Sequence, residues 1–181
     1  MRDFNMAGID HNIEFKALNI AVMTVSDTRT EETDKSGALL VESLLTAGHN
    51  LSAKTIVPDE QTEIEAALRQ WIMDETIDVV LATGGTGVTG RDVTPEAFQA
   101  VYEKEIPGFG ELFRMISYDL IKTSTLQSRA TAGVAGGTYL FALPGSTGAC
   151  RDAWNQILIH QLDIRHRPCN FAELIPRLTE V

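Results

Sequence analysis

Cysteine is scarce: Cys150 and Cys169 are the only two in 181 residues, and they share no close spacing. A disulfide framework is thereby excluded and a Cys-type zinc site disfavoured; reduced thiols in a cytoplasmic setting are expected instead. Basic charge is short as well, with 15 Lys and Arg against 25 Asp and Glu and a net charge of −10. A nucleic-acid partner needs the opposite balance, because phosphates must be neutralised. No apolar run approaches the ~18 residues that a membrane helix requires, so no membrane partner is expected. The stretch MRDFNMAGIDHNIEF is polar and carries acids, unlike a signal peptide. The four histidines, His11, His49, His160 and His166, lack ligand-like spacing. A hydrophobic content of 44% is ordinary for a globular chain, and the length suits one core rather than two.

Residues 1–17 show neither helical nor strand periodicity and read as a loosely held arm, with one domain over 18–181. LNIAVMTVS, LSAKTIV and IDVVLAT read as buried strands. Between them, ALLVESLLTA follows a cap at Asp34 or Ser36 and ends at Gly48, and EQTEIEAALRQWIMDE sets Ile64, Leu68, Trp71 and Ile72 on one face. Thr94 is expected to cap a helix with Pro95 in its first turn. A further helix is expected over roughly 108–120, a hairpin over RATAGV-AGG-TYLFALPG and a last helix over about 147–163. This alternation predicts an α/β fold, a three-layer αβα sandwich with a mostly parallel sheet. Ligands of such sheets bind beyond the carboxyl ends of the strands, here the loops after residues 26, 57, 83 and 143.

The loop GGTGVTGRDVTPEA (84–97) carries four glycines in seven positions. It formally contains G-x-G-x-x-G, yet the helix starts four residues too late and the unit follows the third strand, which argues against a dinucleotide site. No Gly-Lys-Ser/Thr follows, so a Walker loop is excluded. Bare amides can instead cradle an oxyanion, and a tight crossover would use one or two glycines rather than four. Asp92 alone reads equally as a helix-start acid or a functional one. Asp59, in VPDEQ, stands at the same sheet edge and reads on its own as a helix cap. Two carboxylates ~5 Å apart repel by about 3 kcal/mol at an effective dielectric near 20, and each would repel an anion similarly. A divalent cation reverses that sign, which points to metal-dependent phosphate chemistry. LPGSTGACRDAW (143–154) offers a second anion-friendly loop, opened by Ser146 or Thr147, and PGFGE (107–111) a weaker third. Arg91 reads equally as a group steadying developing charge and as a solvated cation.

Together TVSDT, DKSG, PDE, GGTG…GRDVTPEA, PGFGE, LQSRATAGV and LPGST resemble the MoaB/MogA molybdenum-cofactor biosynthesis proteins over residues 18–171, and are similar to the G domains of gephyrin and plant Cnx proteins. GSTGACRDAW and RHRPCNF resemble the MoaB branch more closely. The resemblance implies a molybdopterin adenylyltransferase: a terminal phosphate of molybdopterin attacks the α-phosphate of Mg-ATP and pyrophosphate leaves. It places the two essential acids on Asp59 and Asp92, which would also hold Mg²⁺. It places substrate contacts on Ser26, Asp27, Gly84, Gly85, Thr86, Gly87, Gly108, Gly110, Glu111, Ser117, Pro144, Gly145 and Ser146. It further implies a homo-oligomer, a trimer or a hexamer built as a dimer of trimers. Two other readings remain open: a non-catalytic molybdopterin-binding oligomer and a nucleotide pyrophosphohydrolase that works without pterin.

Overall fold

The computed structural model describes residues 8–180. Along the chain run β1 (Gly8–Ile9), β2 (Asn19–Val25), α1 (Lys35–Thr46), β3 (Asn50–Val57), α2 (Gln61–Ile72), β4 (Val79–Thr83), α3 (Thr94–Gln99) and β5 (Lys104–Glu105). They are followed by α4 (Pro107–Ile121), β6 (Thr131–Ala135), β7 (Thr138–Leu143), α5 (Thr147–Ala153) and β8 (His166–Arg167). Six strands form one sheet in the order β3-β2-β4-β7-β6-β5. The first four are parallel, β6 runs antiparallel to β7, and β5 antiparallel to β6.

Successive strand residues face opposite sides of a sheet, and here both sides are apolar. Ile20, Val22, Leu81 and Phe141 pack beneath α1, α4 and α5, against Leu40, Leu44, Phe113 and Trp154. Ala21, Met23, Val80 and Leu140 pack on the other face against Ile64, Leu68 and Trp71 of α2 and Phe98 of α3. Helices on both faces make the three layers. From β2 the chain moves outward to β3, then crosses back to β4 on the other side of β2. The connections leaving β2 and β4 therefore depart to opposite faces and open a crevice at the carboxyl edge of the sheet.

Local chemistry fixes the helix ends. Of the two candidate caps for α1, Asp34 does the work: its Oδ1 accepts from the Gly37 amide at 2.9 Å, while the Thr24 hydroxyl donates to its Oδ2 at 2.8 Å. Thr94 is not a side-chain cap. α3 begins at Thr94 itself, so Val93 takes the cap position with no side-chain bond, and the Thr94 hydroxyl donates to Gly84 O at 2.8 Å. The β6–β7 hairpin turns on Gly136 and Gly137, both at positive φ, as a tight two-residue turn demands. The last helix is not continuous. α5 passes through a π turn (Trp154–Leu158) before a final α turn (Ile159–Gln161), and the extra residue leaves Trp154, Ile157 and Leu158 all buried.

Within the segment read as an arm, residues 1–7 lie outside the described residues, and Gly8–Ile9 pair with Arg167 and His166 as β1 and β8. Close to this segment, the buried His49 accepts the Leu18 amide on Nδ1 at 3.2 Å, its ring 5.3 Å from that of Phe15. Burial pushes the His49 imidazole below its usual 6.5, against the raising effect of the Asp163 and Asp78 charges. Unfolded His49 thus takes up a proton that the folded imidazole refuses. Its contribution is fully present above about 6.5 and is lost as pH falls through the lower folded value. Thermal unfolding followed from pH 7.5 downward (roughly, to 5) should show a fall in midpoint that His49→Gln flattens; an equal slope in both proteins would contradict this.

Candidate functional site

A cleft of about 580 Å³ lies at the crevice and is lined from all four expected loops: Ser26, Asp59, Gly84 to Gly87 with Asp92, and Pro144 to Ser146. Backbone contacts seam the loops together. The Gly84 amide donates to Leu143 O at 3.0 Å, and the Thr83 hydroxyl donates to Pro144 O at 3.0 Å. Gly84 sits at φ +110, and a Cβ there would lie 2.2 Å from Val25 O. At Gly85, φ +61, a Cβ would lie 2.3 Å from Thr94 Oγ1 and 3.0 Å from Asp59 Oδ1. These two glycines are thus required by the chain's own close approach, a requirement separate from any room for a ligand. Among the described residues, the Gly85 and Thr86 amides have no protein acceptor and remain free to donate to an anion, as do the amides of Gly145 to Gly148 where α5 begins.

The two acids come from different loops and are held differently. Asp59 Oδ2 accepts from the Asp27 amide at 2.9 Å, and Asp27 Oδ1 in turn accepts from the Asp59 amide at 3.0 Å. Burial, joined by the charges of Asp27 and Asp92, raises the Asp59 carboxyl above its ordinary value, outweighing the Asp27 amide and Arg91. Asp92 Oδ2 accepts from both the Thr89 amide, at 2.8 Å, and the Thr89 hydroxyl, at 2.6 Å. Burial opposes ionisation there too, but Thr89, the Gly87 amide and the Arg129 charge together bring Asp92 below its ordinary value. Neighbouring carboxyls pushed in opposite directions are a common arrangement at reactive sites. No group of three His, Cys, Asp or Glu side chains converges as metal donors among the described residues. A carboxylate pair beside free amides suits Mg²⁺ shared with phosphate oxygens and water, rather than an all-protein cage.

The remaining expected residues divide. Ser117, buried on α4, lines the cleft. Asp27 stands just outside it, exposed, and is lowered by its bonds from Arg91 and then by the Asp59 amide. Gly110 and Glu111 line a separate cleft of about 450 Å³ beside Arg114 and Arg129, and Gly108 is exposed on neither wall. Arg91 is no free cation: it binds Asp27 and Glu60, each at 2.7 Å, and so latches the loops after β2, β3 and β4 together.

Several lining residues received no site role in the sequence reading, although Gln127 and Ser128 lie within LQSRATAGV and Asp152 within GSTGACRDAW. Ser124, Thr125, Gln127 and Ser128 belong to or follow a 3₁₀ turn (Lys122–Gln127) whose polar KTSTLQ shows no helical or strand periodicity. Asp152 lines the cleft from α5, and Arg29 from the loop after β2. Arg129 clasps the glycine loop from behind, donating to Gly87 O and Asp92 O at 2.6 Å each and pairing with Glu96.

Fold and cleft define a three-layer α/β protein with an open cleft at the carboxyl edge of its sheet. A family model described as "Probable molybdopterin binding domain" matches residues 21–164. Molybdenum cofactor biosynthesis protein B of Escherichia coli K12 is 52% identical over 158 residues, covering 87% of this chain and 93% of that protein. A solved structure of a molybdenum cofactor biosynthesis protein B superposes with a TM-score of 0.83 at 45% identity, covering 92% of this chain and 98% of the other. The tungsten cofactor synthesizing protein MoaB of Pyrococcus furiosus superposes with a TM-score of 0.71 at 38% identity, covering 79% and 91%. The chain belongs to the MoaB/MogA family of molybdenum cofactor biosynthesis proteins. No helix among the described residues is long and apolar enough to cross a membrane.

Proposed function

We propose that this cleft adenylylates molybdopterin at the expense of Mg-ATP, making the protein a molybdopterin adenylyltransferase. The observation that carries the reading is the meeting of two carboxylates from separate loops, Asp59 and Asp92, with unpaired glycine-loop amides in one cleft. A terminal phosphate oxygen of molybdopterin forms a bond to the α-phosphorus of ATP, the bond from that phosphorus to the β-phosphate bridging oxygen breaks, and pyrophosphate leaves. Mg²⁺ supplies neutralisation of phosphate charge, and Asp59 and Asp92 would hold it. The Gly85 and Thr86 amides donate to phosphoryl oxygens, and the Ser26 and Ser117 walls orient the two substrates. Positioning and charge stabilisation of this kind account for most of the acceleration in phosphoryl transfer.

The test is pyrophosphate release from Mg-ATP with and without molybdopterin. Release that needs the pterin supports the transferase. Release without pterin identifies a pyrophosphohydrolase, and pterin binding without release identifies a non-catalytic molybdopterin-binding protein.

The same reading includes a homo-oligomer, a trimer or hexamer. Leu112, Met115 and Tyr118 on α4, with Leu126 beyond it, leave apolar side chains exposed, Met115 by 65% and Leu126 by 77%. An exposed apolar patch of this kind favours a self-association surface. Light scattering should give a trimeric or hexameric mass for the wild type and a smaller one for Met115→Glu. A monomeric wild type would remove the oligomer from the account.

A further inference from the structure

Three arginines surround the cleft, and they differ in how many donors remain unused. Arg91 lies outside it, bonded to Asp27 and Glu60. Arg129 lies behind the glycine loop, occupied by Gly87 O, Asp92 O and Glu96. Arg29 is the one Lys or Arg that lines the cleft among the described residues, although Asp59, Asp92 and Asp152 also line it. One of its Nη atoms donates to Ser36 Oγ and the other to Gly145 O at 2.5 Å, and the buried Asp34 carboxylate stands 3.6 Å away. These contacts orient the guanidinium, and the two hydrogen bonds among them use two of the roughly five N–H donors that an arginine carries. No protein acceptor takes the others among the described residues, and the side chain remains 29% exposed.

An oriented fork with free donors, set in a wall otherwise negative, matches an oxygen-rich anion. We propose that Arg29 binds a phosphoryl group of the substrate in this cleft and so makes the site select phosphorylated over dephosphorylated ligands. The proposal rests on the adenylyltransferase reading. The phosphoryl group belongs either to the pterin or to the nucleotide, and the test separates them.

Equilibrium dissociation constants are measured for two pairs, molybdopterin with its dephosphorylated form and AMP with adenosine. The proteins are wild type, Arg29→Gln and Arg29→Lys, each first shown to melt cooperatively. Charge-assisted hydrogen bonds of this kind correspond to about 10- to 100-fold in affinity. Arg29→Gln should therefore lose about that much preference for the phosphorylated member of one pair, and the pair affected names the source. Arg29→Lys, which keeps the charge without the fork, should fall between. Unchanged preference in both pairs and both variants would overturn the assignment and leave Arg29 as a tether for Gly145. If the wild type binds neither phosphorylated ligand, the adenylyltransferase reading fails, and inorganic pyrophosphate becomes the probe. Weaker pyrophosphate binding in Arg29→Gln then upholds the assignment; equal binding, or none by the wild type, overturns it.

Discussion

Asp92→Asn should abolish most of the adenylyl transfer proposed for this cleft while leaving the fold intact. Asparagine keeps an oxygen that can accept from the Thr89 amide and hydroxyl, the two donors that now hold Asp92 Oδ2. What it removes is the negative charge that those donors, the Gly87 amide and Arg129 sustain against burial. Loss of one preorganised electrostatic group at a transferring phosphoryl centre costs about 10²–10³ in turnover. Rates of pyrophosphate release under saturating molybdopterin and Mg-ATP, with thermal melts beside them, measure both halves. A variant that retains a third of wild-type turnover would show that Asp92 is only a loop acid.

Gly84→Ala should unfold the protein more readily than any other single-methyl change in the glycine loop. Its backbone is at φ +110, and the added methyl would meet Val25 O at 2.2 Å, a backbone atom at the buried end of an interior strand that cannot step aside. Left-handed strain and overpacking together amount to about 2–5 kcal/mol. For a chain of this size that lowers the melting midpoint by roughly 5–15 °C. Gly90→Ala is the control, since nothing lies within 4 Å of a Cβ there, and it should change stability by less than about 0.5 kcal/mol. Equal midpoints for the two variants would mean that the close approach of β2 and the glycine turn does not constrain the loop.

These glycines also show how far the sequence could be read. Their number was read as room for another molecule, whereas two of them are required by the chain's own crossover, and nothing local distinguishes the two. At Gly84 and Gly85 the intruding atoms belong to Val25, Thr94 and Asp59, which only the folded sheet brings near. The parallel strands were legible because Val79–Thr83 and Asn19–Val25 are apolar on both faces, a pattern that a two-sided sheet imposes. Asp59 and Asp92 were legible because each stands just beyond a strand end or a glycine turn. β5, β1 and β8, two residues each, are too short to carry any period. The π turn at Trp154–Leu158 has an apolar pattern close to that of an ordinary helix, so packing rather than propensity decides it. Arg29 was invisible, and Arg129 stood within LQSRATAGV without a role, for a different reason. What ties them to the cleft loops is chiefly the carbonyls of Gly145, Gly87 and Asp92, and a carbonyl gives no residue-type signal at a distance of 37 to 116 positions.

The most direct test of the account is to incubate the wild-type protein with molybdopterin and Mg-ATP and isolate the pterin product. Adenylylated molybdopterin is the expected product, formed with one pyrophosphate per pterin and absent when Mg²⁺ is chelated. Molybdopterin recovered unchanged from a protein that binds it would contradict the account and leave a binding protein built on a transferase fold.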